Sequence, residues 1–153
     1  MLAILCVLVI GFFLYEGVVF GAHRLMHERW TGPLWRSHQL HHKLYNPKSP
    51  ASSIYKEVGW RSFKYRALIF LAVVGAFFCL LPFWMAFALL VEVSVLSAVS
   101  TYIHDATHIA DHDLERFGWF RYLKGMHWTH HANTKKNLGI ITFLFDRLAG
   151  SKQ

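Results

Sequence analysis

All 16 lysines and arginines of this chain lie within residues 24–66 and 116–152, and none lies in 1–23 or 67–115. The regions 1–22 and 67–103 are almost wholly apolar, interrupted by Glu16 in the first and by Pro82 and Glu92 in the second. Long uncharged tracts separated by basic segments are the pattern of membrane spans with cytoplasmic basic flanks. In lipid every backbone polar group needs an internal partner, which leaves helices or closed barrels as spanning structures. No β-rich region is present, so the expected fold is all-α, an integral membrane helical bundle forming one domain over 1–153. The net charge of +7 would also suit nucleic-acid binding. Here, however, the basic residues flank apolar tracts and do not gather on one face, which argues against a nucleic-acid partner.

Residues 1–22 would span roughly 33 Å as a helix, close to the ~30 Å hydrocarbon core. The basic n-region of a secretory signal is missing. A retained first span is therefore expected, N-terminus outside, because Arg24, Arg29 and Arg36 follow it. Glu16 is costly in lipid and is expected to face the interior. The second tract, as one straight helix, would reach roughly 55 Å, far beyond a bilayer. Folding it at Leu81-Pro82-Phe83 gives a hairpin, with spans at about 65–81 and 83–103; Lys64 and Arg66 would snorkel from its short first arm. A re-entrant hairpin has the same parity. Both arrangements return the chain to the side it left, so all the basic residues face the cytoplasm. Residues 51–66, mixing aromatics with Lys56, Arg61, Lys64 and Arg66, read as an interfacial amphipathic segment. Cys6 and Cys79 form no CxxC pattern and read as small buried hydrophobes.

Ten of the eleven histidines fall in four clusters. His23 and His27 are spaced i, i+4, as are His104 and His108. His38, His41 and His42 are spaced i, i+3, i+4, as are His127, His130 and His131. On a helix each of these sets shares one face. The order pair–triplet occurs twice, and each pair begins where an apolar tract ends. Helices are therefore expected to run on from the spans at His23 and His104. The first continues to about Trp30 and is broken at Thr31-Gly32-Pro33. A second, carrying the 38–42 triplet, ends at Asn46-Pro47 and Ser49-Pro50. A third, carrying 127–131, ends at Asn133, Asn137 and Gly139. The tail 140–148 is expected to pack under the site or on the membrane surface.

Ten imidazoles exceed the four ligands of a closed zinc site, which commonly include cysteine. They would serve two metals with about five nitrogens each, leaving an octahedral position open on each ion. His112, four residues after His108, is an additional candidate as ligand or supporting residue. Ligand histidines usually donate their second N–H to a carboxylate or carbonyl. Asp105, Asp111, Asp113, Glu28 and Asp146 are candidate partners, as are Asn133 and Asn137, which alternatively cap the helix.

The motifs His-Arg-Leu-Met-His at 23–27, His-Gln-Leu-His-His at 38–42, His-Asp-Ala-Thr-His at 104–108 and His-Trp-Thr-His-His at 127–131 resemble those of the fatty acid hydroxylase/sterol desaturase superfamily. So does the ending Asn137-Leu138-Gly139 with Phe145-Asp146-Arg147-Leu148-Ala149-Gly150. The likeness covers residues 23–150. It implies a membrane di-iron oxygenase of lipid biosynthesis that uses O2 to hydroxylate or desaturate a fatty acyl chain or sterol. The electrons would come from ferredoxin, or from cytochrome b5 with its reductase. The two iron ions would be held by the ten clustered histidines, and zinc is the ion expected to replace them on purification. The location implied is a bacterial inner membrane or the endoplasmic reticulum, the chain crossing several times. Carotenoid β-ring hydroxylases are similar in size and arrangement and remain an alternative, although their pair motifs tend to have four intervening residues where this chain has three. Two readings from other classes are a metal-binding or transport protein and a lipid hydrolase using zinc-bound water.

Overall fold

The computed structural model describes residues 2–46, 48, 50–51 and 60–153, with the side chains of Leu2 and of residues 60–66 left aside. Among the described residues six α-helices follow in order: α1 Leu2–Met26, α2 Pro33–Leu44, α3 Trp60–Leu80, α4 Phe83–His108, α5 Gly118–Ala132 and α6 Leu144–Leu148. Single 3-10 turns stand at Arg29–Thr31 and Asp113–Arg116. No strand occurs among the described residues; one isolated parallel bridge joins Ala51 to Ile109. Within α1 and α4, Ala3–Met26 and Phe83–His108 are long and apolar enough to cross a membrane; the apolar part of α3, Ala67–Leu80, is shorter. The amphipathic segment expected at 51–66 falls largely outside the described residues, as do Pro47 and Ser49.

The chain turns between α3 and α4 at Leu81-Pro82, and the two helices pack against each other. Proline at the head of α4 lacks the N–H that would prolong α3, and its fixed φ suits a helix start. Next, α4 packs along α1, and the two run parallel. Gly11 lies against Leu89 and Glu92, and the Tyr15 hydroxyl donates to the Leu96 carbonyl at 3.2 Å. A Cβ at Gly11 would overlap the Glu92 carboxylate, so glycine is what permits this approach. Parallel packing brings the C-terminal ends of α1 and α4, with His23 and His104, to the same end of the molecule.

Three boundaries and burials differ from the sequence-based expectation. The first helix stops at Met26 instead of running to about Trp30. Its end tightens through His27 N–H to Arg24 carbonyl and Glu28 N–H to Leu25 carbonyl bonds, 3.1 and 2.9 Å. This turns His27 out of the helical spiral. The chain then reverses at Gly32, whose φ of +60° is open to glycine and strained for other residues. Cys6 and Cys79 are exposed, not buried. They lie on the outer faces of α1 and α3, which carry the exposed apolar side chains Leu5, Val9, Leu68, Leu71 and Phe78.

Behind the histidines is a compact apolar core made of Ile103 and Ala106 of α4, Phe120, Leu123 and Met126 of α5, and Phe143. The α5 positions recur every three residues, which places them on one helix face with His127 and His130. Burial of that face orients α5, so its histidines inherit their direction from the packing of phenylalanine, leucine and methionine. Between α4 and α5, Lys124 binds Glu115 at 2.5 Å and the Ile109 carbonyl at 2.6 Å, pinning the connecting turn. The hydrogen bond from Lys124, with its opposite charge as a further cause, holds the Glu115 carboxyl below the usual carboxylate range.

Candidate metal centre

The four clusters meet. His42 and His131, one from each triplet, have ring centroids 4.1 Å apart. Two groups of ring nitrogens form, each with its atoms within 4.8 Å of one another: His23, His27, His38, His42 and His130 in one, His41, His108, His127 and His131 in the other. His104 borders the second group, its ring 5.2 Å from His41 and 4.8 Å from both His108 and His127. The division does not follow the sequence repeat. His41, the middle of the first triplet, joins the second group, and His130, the middle of the second triplet, joins the first.

The contacts within the groups are of a kind that could hold a cation. His38 Nε2 lies 3.1 Å from His23 Nε2, 3.0 Å from His27 Nε2 and 3.1 Å from His42 Nε2. One ring nitrogen carries either one proton or one lone pair, so three such contacts cannot all be hydrogen bonds. Nitrogens about 2.1 Å from a shared ion would stand about 3.0 Å apart at right angles and about 4.2 Å apart across it. The observed separations fit that spacing. So do His27 to His130 at 3.2 Å, His41 to His131 at 3.2 Å and His108 to His127 at 2.9 Å.

Three rings have their tautomer set from behind. His23 Nδ1 donates to the Leu138 carbonyl at 2.6 Å, His130 Nδ1 to the Lys136 carbonyl at 2.8 Å and His131 Nδ1 to the Tyr45 carbonyl at 2.6 Å. A carbonyl can only accept, so in the neutral ring Nε2 is left with its lone pair facing the group. Burial, with neighbouring imidazoles as a further cause, holds the His42 pKa well below the ordinary 6.5. Burial lowers His131 and His27 to about 4, and it depresses His38, His41, His127 and His130 further, aided by the surrounding rings. A protonated imidazole cannot ligate; the packing therefore keeps these side chains in the ligand form at neutral pH.

The candidate supporting residues are placed as follows. Asp105 Oδ1 lies 3.2 Å from His104 Nδ1, as a carboxylate partner would. Asp146 is fully buried, and its described side-chain partners are Leu138, Gly139 and Ser151. It accepts from the N–H groups of Leu138 and Gly139 at 2.8 and 2.7 Å, and so holds the segment whose carbonyl orients His23. Asn137, also fully buried, sits at φ +52°, a region asparagine tolerates better than most residues. Its amide donates to the Met126 carbonyl, tying the same segment to α5. Asn133 ends α5 and accepts from Lys135 N–H, in keeping with the capping alternative. His112 stays outside both groups, where it caps the 3-10 turn by accepting from Leu114 N–H at 3.1 Å. Glu28, Asp111 and Asp113 are not among the ring-nitrogen partners; Glu28 and Asp113 precede and begin the two 3-10 turns. Trp128 packs edge-on against His108 and near His131.

The carbonyls of Tyr45, Lys136 and Leu138 carry no signal in the sequence, since every residue has one. The Asn137–Gly139 and Asp146–Gly150 motifs mark the neighbourhood but not the atoms. A family model described as fatty acid hydroxylase matches residues 8–151. No curated protein and no solved structure matches the chain.

Proposed function

This chain belongs to the fatty acid hydroxylase family, and we propose that it is a membrane di-iron oxygenase that hydroxylates or desaturates a lipid, such as a fatty acyl chain or sterol. The observation that carries the proposal is the pair of nitrogen groups, five and four histidines with His104 beside the second. Two iron ions would be held there, and when bound they supply O2 activation and the electron transfer that a redox-inert ion such as zinc cannot. The chain's own residues do the rest. The Leu138, Lys136 and Tyr45 carbonyls fix ring direction, and burial keeps the imidazoles neutral. His108 and His130 are themselves fully buried.

The substrate would come from the bilayer, because His23 and His104 lie on the two helices that are long and apolar enough to span it. Electrons would be delivered from the opposite, aqueous side by ferredoxin or by cytochrome b5 with its reductase. A transporter would place its ligands near the middle of the bilayer, whereas these follow the apolar tracts. Lipids from a host expressing the chain under 18O2 should gain one labelled oxygen or lose two hydrogens relative to a host lacking it. Identical lipid mass spectra from the two hosts would refute the enzyme reading.

We also place the centre on the cytoplasmic side, with the N-terminus of α1 outside, since Arg24, Arg29 and Arg36 follow the first apolar tract and Arg116 and Arg121 follow the second. A reporter fused after Gln153 is expected to be active inside the cell. Activity only outside would reverse the topology.

A further inference from the structure

A buried carboxylate in the apolar first helix has no part in the site as described so far. Glu16 is 5% exposed. Its Oε2 accepts from the backbone N–H of Thr142 at 3.0 Å and from the Thr142 hydroxyl. An ionisable side chain within a lipid-spanning helix is costly and calls for a specific reason. The contacts around it supply one.

Glu16 and His23 are seven residues apart, two turns along the same face of α1. The segment 138–145 lies along that face. At one end the Leu138 carbonyl accepts from His23 Nδ1. At the other Thr142 is held by Glu16. Beyond it, Phe145 stacks on Phe20 with centroids 6.1 Å apart and lies over Gly17. Between the two ends the chain is folded tightly. A Cβ at Gly139 would overlap the Thr142 carbonyl oxygen and come within 3.1 Å of the Asp146 carboxylate. Such a turn has little freedom to stretch, so the position of Thr142 is transmitted to Leu138.

We propose that Glu16 is a positioning residue for the five-histidine group: by gripping Thr142 it sets the 138–142 turn, and through the Leu138 carbonyl the tautomer and direction of His23. The proposal rests on the metal reading above in assigning His23 a ligand role. It concerns one group only, because none of the carbonyls in this turn touches His41, His108, His127 or His131 among the described contacts.

The test uses the full-length chain in detergent, with cobalt(II) as the probe ion, and the variants Glu16→Leu, Glu16→Gln and Thr142→Val. Wild type should take up two ions. Glu16→Leu should bind one as wild type does and the other about tenfold more weakly, the scale of losing an outer partner of a ligand. Glu16→Gln keeps an acceptor oxygen and should recover most of the affinity; Thr142→Val, which keeps the backbone N–H, should fall between. A second arm needs no metal. Ring 15N spectra of the metal-free chain should show His23 protonated at Nδ1 in wild type and Glu16→Gln, and mixed tautomers in Glu16→Leu. Unchanged binding and an unchanged His23 spectrum in Glu16→Leu would overturn the proposal, as would equal weakening of both ions. Failure of wild type to bind two ions would instead overturn the di-metal reading, and the tautomer arm would still decide the role of Glu16.

Discussion

On the proposed di-iron reading, replacing His130 by alanine is expected to abolish lipid oxidation and reduce bound iron from two ions toward one, with membrane insertion intact. His130 is fully buried, and its Nε2 lies 3.2 Å from His27 Nε2. It is the only member that α5 contributes to the first group, since His127 and His131 belong to the second. Its loss takes one of five nitrogens and opens a position that water will fill. It also leaves the Lys136 carbonyl without its ring N–H. Ligand number and type set the potential of a bound metal, so an oxidation needing both ions fails even if one is retained. Insertion depends on the apolar helices, and α5 is held in place by Phe120, Leu123 and Met126. The matched control is His112→Ala, which removes a cap on a 3-10 turn and no member of either group. Iron per chain and oxidised lipid, measured together under O2, decide the matter. Full iron and activity in His130→Ala would sink the ligand assignment, and so would a larger loss in His112→Ala.

Asp146→Ala should be the most destabilising single change outside the histidines, at about 3 to 5 kcal/mol. Its carboxylate is fully buried and accepts from Leu138 N–H, Gly139 N–H and the Ser151 hydroxyl, at 2.8, 2.7 and 2.6 Å. Alanine strands two buried backbone donors, each at about 1–3 kcal/mol, while the part-buried Ser151 hydroxyl keeps the Asp146 carbonyl within 3.4 Å. The backbone carbonyl of Asp146 still accepts from Ser151 and Lys152, so the tail keeps part of its anchorage. Asparagine retains one acceptor and should lose roughly half as much. Denaturant midpoints in detergent, on metal-free protein, separate this effect from metal binding. An Asp146→Ala midpoint equal to wild type would mean that this carboxylate does not hold the turn.

How the ten histidines would be shared between two ions could not be read from their spacing. Helical periodicity states which imidazoles share a face of one helix and nothing about which faces meet. The repeat invites a division by halves. Packing instead sends His41 across to His108, His127 and His131, and brings His130 back to His23, His27, His38 and His42. That exchange depends on the imidazoles of α2 and α5 meeting, a contact between residues some 90 positions apart in the chain, as His41 and His131 are.

The supporting contacts divide along the same line. Asp105 beside His104 is a neighbour in sequence and could be named from it. The three carbonyls on His23, His130 and His131 are backbone atoms of ordinary residues, brought in by loops whose paths the pattern of residue types does not describe. Asp146 was visible as a motif residue. Its work, two backbone N–H bonds one step behind a ligand, required the fold.

What the sequence alone determined is the inventory and its coarse placement: apolar tracts that must be helices, a break at Pro82, histidines at helical spacing beginning where each apolar tract ends, and a carboxylate in α1 that must face inward. These follow from local rules, the cost of unpaired backbone groups in lipid and the 3.6-residue period. Tertiary structure alone decided the five-and-four division of the nitrogens and the clamp of Glu16 on Thr142. Both are contacts between distant segments, and their geometry is set by how the apolar faces of α1, α4 and α5 pack, which no local rule specifies.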